Sequence, residues 1–351
     1  MSTKKIDELL KANKEKTRNL NVEEETHLLT EQLKNEEVFE YTDYSLDDLK
    51  VIDFANDFEP IEIVKKDEKL DLRKKEEPKE IEVEMKTEEI RELDALDELL
   101  NQESSVEESK SKKQVVKDYS NNPIMVNFDN VTMRYNKVDR LIEGLNLKIY
   151  EGEFIYLVGP SGSGKSTLSR LIYRDVTNTA GTVWVDGINA TKLKPGQLHK
   201  LRQKIGVIFQ DYKLLPNLTI YENVKYTLDV IGYPKDKIEE QVLKTLQRVG
   251  IKEQRDKFPK ELSGGQQQRT AIARAIVNEP KIIVADEPTG NLDPKNADII
   301  MKILERINKG GTTVIMATHD TKIVNKFKHR TIKIESGSIK GENKEGGYIY
   351  E

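Results

Sequence analysis

The residues with the most specific chemistry in this chain run from Gly159 to Thr167, in full Gly159-Pro160-Ser161-Gly162-Ser163-Gly164-Lys165-Ser166-Thr167. They fit G-x-x-x-x-G-K-[ST], directly after the apolar run EFIYLVG and directly before the helical pattern STLSRLIY. In that context the glycines let successive backbone N–H groups wrap a polyphosphate, and the helix start adds its partial positive charge. Lys165 has the reach and charge for the β- and γ-phosphates, and the Ser166 hydroxyl suits Mg²⁺. Alone, the run specifies a nucleoside triphosphate site and leaves the reaction open.

A second set of residues narrows the reaction. Asp286 and Glu287 close the apolar run Ile282-Ile283-Val284-Ala285, which places them at the C-terminal end of a buried strand, the edge where parallel α/β sheets bind ligands. Asp286 can hold Mg²⁺ through water, and Glu287 can orient and polarise an attacking water. A strand that merely ends in two exposed acids is the plain alternative, so the pair gains meaning only through partners. Leu262-Ser263-Gly264-Gly265-Gln266 is one such partner, a short glycine-rich loop ahead of the amphipathic pattern QQRTAIARAIV. It offers a hydroxyl, backbone N–H groups and a helix dipole to a second anion.

These residues need a scaffold that sets strand ends side by side. After Asn121-Asn122-Pro123, MVNFDNVTMRY and LIEGLNLKIY show strand-like alternation, and EFIYLVG reads as a buried strand. KIGVIF (204–209), KIIVAD (281–286) and TTVIMAT (312–318) are of the buried parallel-strand type, mostly separated by helical patterns. That order predicts an α/β domain with a largely parallel sheet. No internal repeat appears, so one such domain is expected. Thr219-x-x-Glu222 has the form of a capping box that starts a helix.

In sequence order these motifs resemble the ABC ATPase family. The resemblance implies a P-loop NTPase fold of the ABC nucleotide-binding type, with a RecA-like core, an antiparallel β subdomain and a helical subdomain bearing the Ser263 loop. It implies ATP and Mg²⁺ as ligands. It also assigns roles to Tyr135 in VTMRY, as the aromatic stacked on adenine, and to Gln210 in IGVIFQ, as the strand-ending glutamine that senses Mg²⁺ and water. Asp293, in Asn291-Leu292-Asp293, falls in the loop that crosses to the other subunit, and His319 in ATHD is the γ-phosphate histidine. Taken singly, each has a plain reading: a strand-packing tyrosine, a surface amide, a loop histidine. Together they imply catalysis by Glu287, His319, Gln210 and Lys165, and metal binding by Ser166, Gln210 and Asp286. Nucleotide contacts would come from the Gly159–Thr167 loop of one copy and from Ser263, Gly264, Gly265, Gln266 and Asp293 across a homodimer.

Within the family, the segments IYRDVTNTAGTVWVDG, IGVIFQDYKLLPNLTIYENV and ARAIVNEPKIIVADEPTGNLDP and the closing GGYIY resemble the FtsE branch, which partners the membrane protein FtsX. ATPases of lipoprotein-release and MacB-type exporters share FQ…LLP and ADEPTGNLD and stay open as alternatives, as does a soluble ABC scaffold. The branch implies an integral membrane partner that docks near Tyr212–Glu222 and holds the chain at the cytoplasmic face of the membrane. No nucleic acid is expected. The chain has one nucleotide-binding domain where translation factors of the family have two, and it shows none of the sustained heptads of the DNA-repair branch.

Composition divides the 351 residues near position 120: residues 1–120 carry 21 basic and 35 acidic side chains, and the remainder carries 36 and 27. The basic half suits an anionic ligand or an anionic membrane. Cysteine is absent, which rules out disulfides, thiolate metal sites and thiol nucleophiles. The start MSTKKIDELLKANKEK has no signal-like apolar run, and no stretch nears the roughly 20 apolar residues of a membrane span. The acidic segment 1–120 buries too little apolar surface to offset its ordering entropy, so a mostly disordered extension ahead of a domain at 122–351 is expected. Two patches, Ile6-Asp7-Glu8-Leu9-Leu10 and Leu96-Asp97-Glu98-Leu99-Leu100, share (I/L)DELL at helical spacing. They read as solvated helix-prone patches or, more sharply, as docking helices for a partner groove.

Overall fold

The computed structural model describes residues 93–98, 118–134 and 140–349, with Arg91 and Leu100, all within the compact unit Glu76–Glu351. The order of the larger sheet explains why its central strand β3 (Phe154–Val158) is apolar throughout. Strand β3 is flanked by β8 (Thr313–Ala317) and β9 (Arg330–Glu335), both parallel to it. Its alternate side chains feed two cores. Phe154, Tyr156 and Val158 join one cluster, and Ile155 and Leu157 join the other. A strand covered on both faces has no polar side to show.

Strand β7 (Ile282–Asp286) pairs with β8 and with β6 (Ile205–Ile208), again in parallel. The sheet closes with β10 (Ser338–Asn343), antiparallel to β9, giving the order β10-β9-β3-β8-β7-β6. Register sets the C-terminal ends in line: Leu157 and Asp286 both face Ala317, and Ala285 faces Ile208. A second, antiparallel sheet has the order β2-β1-β4-β5, from β1 (Ile124–Arg134), β2 (Arg140–Tyr150), β4 (Ala180–Val185) and β5 (Ile188–Asn189). Its Val126, Phe128 and Val131 share a core with Leu168 and Leu171 of helix α1 (Lys165–Ile172).

The other helices are α2 (Leu198–Arg202), α3 (Ile220–Ile231), α4 (Ile238–Arg248), α5 (Gly264–Ile276), α6 (Pro294–Lys309) and α7 (Thr321–Lys326). Helices α3, α4 and α5 pack on one another and form a separate helical layer. Helix α3 starts with the anticipated capping box: Glu222 N–H donates to Thr219 Oγ1 at 3.2 Å and Thr219 N–H to Glu222 Oε2 at 2.8 Å. Buried Asn223 then ties down the chain ahead of the helix. Its Nδ2 donates to the Leu215, Leu218 and Thr219 carbonyls, and its Oδ1 accepts from Leu215 N–H.

The reading of the second (I/L)DELL patch as solvated needs correction. Residues 93–98 are helical, and Leu93, Leu96 and Leu100 are only 3%, 8% and 4% exposed, in the same cluster as the helical layer. Spacing of i, i+3 and i+7 puts all three on one face of the helix. Burying them gives roughly 1.5–3 kcal/mol each before the cost of ordering the segment. The patch Ile6–Leu10 and the disorder expected before residue 91 lie outside the described residues.

Close backbone approach fixes β6 beneath α5. A Cβ added at Gly206 would stand 2.3 Å from the Ala275 carbonyl oxygen. Gly206→Ala should therefore lower the unfolding free energy by about 1–3 kcal/mol, the usual cost of overpacking. Urea denaturation measures it, and an unchanged midpoint would show that the two elements are not held this tightly.

Candidate active site

Four strand ends carry the candidate site. The loop after β3 turns through Gly159 at φ 145°, where a Cβ would lie 2.0 Å from the Ile334 carbonyl oxygen, so only glycine fits. Gly162 (φ 77°) and Gly164 (φ 105°) continue the wrap, and Gly164 caps α1. Inside the loop, Lys165 Nζ donates to the Gly159 and Pro160 carbonyls, both at 2.9 Å. Ser163 Oγ is buried there without a hydrogen-bond partner, an unmet polar group that a phosphate oxygen would satisfy. Burial pulls the Lys165 pKa down, and the nearby Glu287 and Asp286 carboxylates partly restore it.

Asp286 ends β7 as expected and accepts a hydrogen bond from Ser166 Oγ at 3.1 Å. Burial raises its pKa, with the Ser166 hydrogen bond and Lys165 opposing the shift and Glu287 adding to it. Two hard oxygen donors side by side, one of them a half-buried carboxylate, fit a divalent cation such as Mg²⁺.

Glu287 sits in the left-handed region at φ 46°, a strained conformation for a residue with a side chain. Its N–H donates to the Ala317 carbonyl at 2.9 Å, which binds it to the end of β8. Its carboxylate meets His319 Nδ1 at 2.7 Å through Oε1 and accepts from Thr318 Oγ1 at 3.3 Å through Oε2. The Glu287–His319 contact joins two strand ends, and fully buried Thr318 is a support that the motif ATHD contained and that went unused in the sequence reading.

Gln210 departs slightly from expectation. Strand β6 ends at Ile208, and Gln210 lies two residues beyond it in a turn, exposed. It lines a cavity of about 280 Å³ together with Asp286, Tyr173 and Phe209. The aromatic pair meets edge-on at 6.5 Å, and the Tyr173 hydroxyl is pushed up to about 12, mainly by burial and then by Asp175. No sequence pattern singled out Phe209 as a cavity wall.

A second group forms at the starts of α5 and α6. Ser263 caps α5, its Oγ accepting from Gln266 N–H at 3.3 Å while its own N–H donates to Gln266 Oε1 at 3.1 Å. Gly265 abuts α6, since a Cβ there would meet Asn296 Oδ1 at 2.1 Å, and Gly264 lies beside Tyr212 and Leu292. Asp293 caps α6, accepting from Lys295 and Asn296 N–H at 3.0 and 3.1 Å and from Asn296 Nδ2 at 2.7 Å. Burial disfavours its charge, yet these hydrogen bonds outweigh burial and hold its pKa low. Asn296 therefore links the Ser263 loop to the Asp293 loop. Tyr135 lies outside the described residues.

Residues 142–290 match the family model described as ABC transporter. The cell division ATP-binding protein FtsE of Streptococcus pneumoniae is 48% identical over 227 residues, 65% of this chain and 99% of that protein. FtsE of Bacillus subtilis is 46% identical over 224 residues, 64% of this chain and 98% of its own. Among solved structures, the ATP-binding cassette MJ0796, in a dimeric post-hydrolysis state bound to ADP and Pi, is similar with a TM-score of 0.59 and 38% identity. The match covers 64% of this chain and all of that one. The chain belongs to the ABC transporter ATPase family, among the cell division ATP-binding proteins of the FtsE kind.

Proposed function

We propose that this chain hydrolyses MgATP as a homodimer and drives an integral membrane partner of the FtsX kind in cell division. The observation that carries the hydrolytic part is Glu287, held in a strained conformation with its carboxylate on His319, beside Lys165 and Asp286. A scaffold that only bound nucleotide would have no use for that strain. The place in cell division rests on the relatives, which carry that function in their names.

The loop Gly159–Thr167 holds the triphosphate with its backbone N–H groups, and Lys165 exchanges its two carbonyl contacts for phosphate oxygens. Mg²⁺ held by Ser166 and Asp286, with Gln210 at hand, would supply neutralisation of the phosphate charge. Glu287 orients and polarises the attacking water. His319 meets the Glu287 carboxylate through Nδ1 and would offer Nε2 to the γ-phosphate, which would tie the position of the base to the presence of the phosphate. Ser263, the backbone behind it and Asp293 serve the ATP of the other copy, as the dimeric cassette among its structural neighbours suggests.

Movement at Gln210 has a short route outward. The next residues, 211–222, are tied to α3 by Asn223 and to α5 by Arg274, whose Nη2 donates to the Tyr212 carbonyl at 2.8 Å. Tyr212, Leu214, Leu215 and Leu218 are half-buried, and Tyr226 and Val230 of α3 are 52% and 66% exposed. We assign this segment as the dock for a cytoplasmic helix of the membrane partner. No helix among the described residues is long and apolar enough to cross a membrane, so the partner would hold the chain at the cytoplasmic face.

Three outcomes test this reading. Glu287→Gln should keep ATP binding and slow single-turnover hydrolysis on the order of 10²–10⁴-fold, which is roughly 3–5.5 kcal/mol of barrier. Unchanged turnover would reject Glu287 as the base. A mixture of Lys165→Ala and Ser263→Arg chains should hold at most one intact site per mixed dimer, and full activity from chains held monomeric by dilution would exclude a shared site. Leu215→Asp should lose the membrane partner in detergent co-purification while keeping its Tm and ATP affinity. Collapse of the Tm would mean that this leucine packs the helical layer instead.

A further inference from the structure

The segment 93–100 crosses a boundary inside the domain. On one side it meets α6: Asp94 Oδ1 pairs with Lys295 Nζ at 2.7 Å, and Asp97 pairs with Lys302. Lys295 and Lys302 are seven residues apart on α6, and Asp94 and Asp97 are three apart on the segment, so each pair faces the other along matching helix faces. On the other side, Leu96 presses on the turn after α4, where a Cβ at Gly250 would stand 2.6 Å from Leu96 Cδ2. Gly250 has φ 70°, so this close approach falls where glycine is already needed for the turn. Leu93, Leu96 and Leu100 share one cluster with Leu246, Val249 and Ile251 from the end of α4 and with Ile303 and Leu304 of α6.

We propose that residues 93–100 are an intrachain clamp that joins α6 to the helical layer and slows the catalytic cycle while docked. Helix α6 starts at Asp293, and the helical layer carries Ser263 at the start of α5. A leucine-rich helix bound to both holds them at one relative position. Any cycle that moves the Ser263 loop against the sheet bearing Lys165 and Glu287 has to strain or release it. The ion pairs are partly exposed, so salt weakens the clamp. The leucines keep the helix seated, and the aspartates set its register. This stretch of acidic sequence is thus seated on the basic part of the domain at a defined place, and a partner that captured Leu93, Leu96 and Leu100 would release the brake.

The effect on turnover rests on reading Lys165 and Glu287 as one ATPase site; the docking itself does not. The test uses the full chain in three forms: unaltered, Asp94→Lys with Asp97→Lys, and the charge swap that adds Lys295→Asp and Lys302→Asp to that pair. Amide hydrogen exchange across 93–100 should be slow in the unaltered chain and at least about tenfold faster in the double reversal. Steady-state ATP turnover should rise roughly threefold or more in that variant, as expected when a conformational step limits the rate. The swap should restore both slow exchange and low turnover. Fast exchange in the unaltered chain would overturn the docking, and lost protection with unchanged or lower turnover would overturn the brake. An unaltered chain with no turnover at all would count against the ATPase reading, while exchange still decided whether the helix docks.

Discussion

An ammonium group held between two backbone carbonyls, and faced by two carboxylates from the end of β7, is the arrangement on which the rest of this structure depends. Lys165 can occupy that place only because the chain reverses tightly through Gly159, against the Ile334 carbonyl. The reversal needs β9 beside β3, and the carboxylates need β7 one strand beyond β8. Parallel register then brings Asp286 and Glu287 level with the end of β8, where Thr318 and His319 follow. Burial makes Lys165 easier to deprotonate and Asp286 harder to ionise. The site as folded is thus under electrostatic strain of both signs, which bound phosphate and a divalent cation would relieve.

The same constraint accounts for the division into layers. The sheet fixes the phosphate loop, the acids and His319 on rigid strand ends, whereas Ser263 and its loop ride on the helical layer. Two side chains of the helical layer hold the segment that follows Gln210. Arg274 reaches from α5 to the Tyr212 carbonyl, and Asn223 closes the chain ahead of α3 with bonds to three carbonyls. Both rely on neutral carbonyl acceptors, which salt screens little. The contacts of 93–100 with α6, in contrast, include ion pairs that salt screens. The coupling beside the site thus resists salt, and the one between residues 93–98 and α6 does not.

Much of the candidate site was legible because its residues are punctuated by geometry. Glycines at fixed spacing after an apolar run, an acidic pair closing another, and Thr219-x-x-Glu222 ahead of a helix each encode a local shape that the structure repeats. What was not legible depends on contacts between distant segments. Thr318 becomes a support for Glu287 only because β7 and β8 are neighbours. Asn296 matters because α5 approaches α6 so closely that Gly265 has no room for a Cβ. The leucines at 93, 96 and 100 looked too sparse to bury within an acidic segment, and their groove lies on α6 and on the Gly250 turn, roughly 150–200 positions away. Composition measures what a segment can bury alone, so it missed a segment that buries its leucines on another part of the chain.

The central claim is that one chain holds half of each ATP site. The absence of native cysteine makes a direct measurement clean: Ser161→Cys and Glu261→Cys, both at exposed positions, in a Glu287→Gln background that retains ATP. Oxidation should yield a disulfide-linked dimer that depends on MgATP and is lost with Lys165→Ala, because the proposed dimer would set the phosphate loop of one copy against the Ser263 loop of the other, within the roughly 4.4–6.8 Å Cα separation that a disulfide allows. Chains that stay monomeric under MgATP, or that join these two positions within one chain, would contradict it.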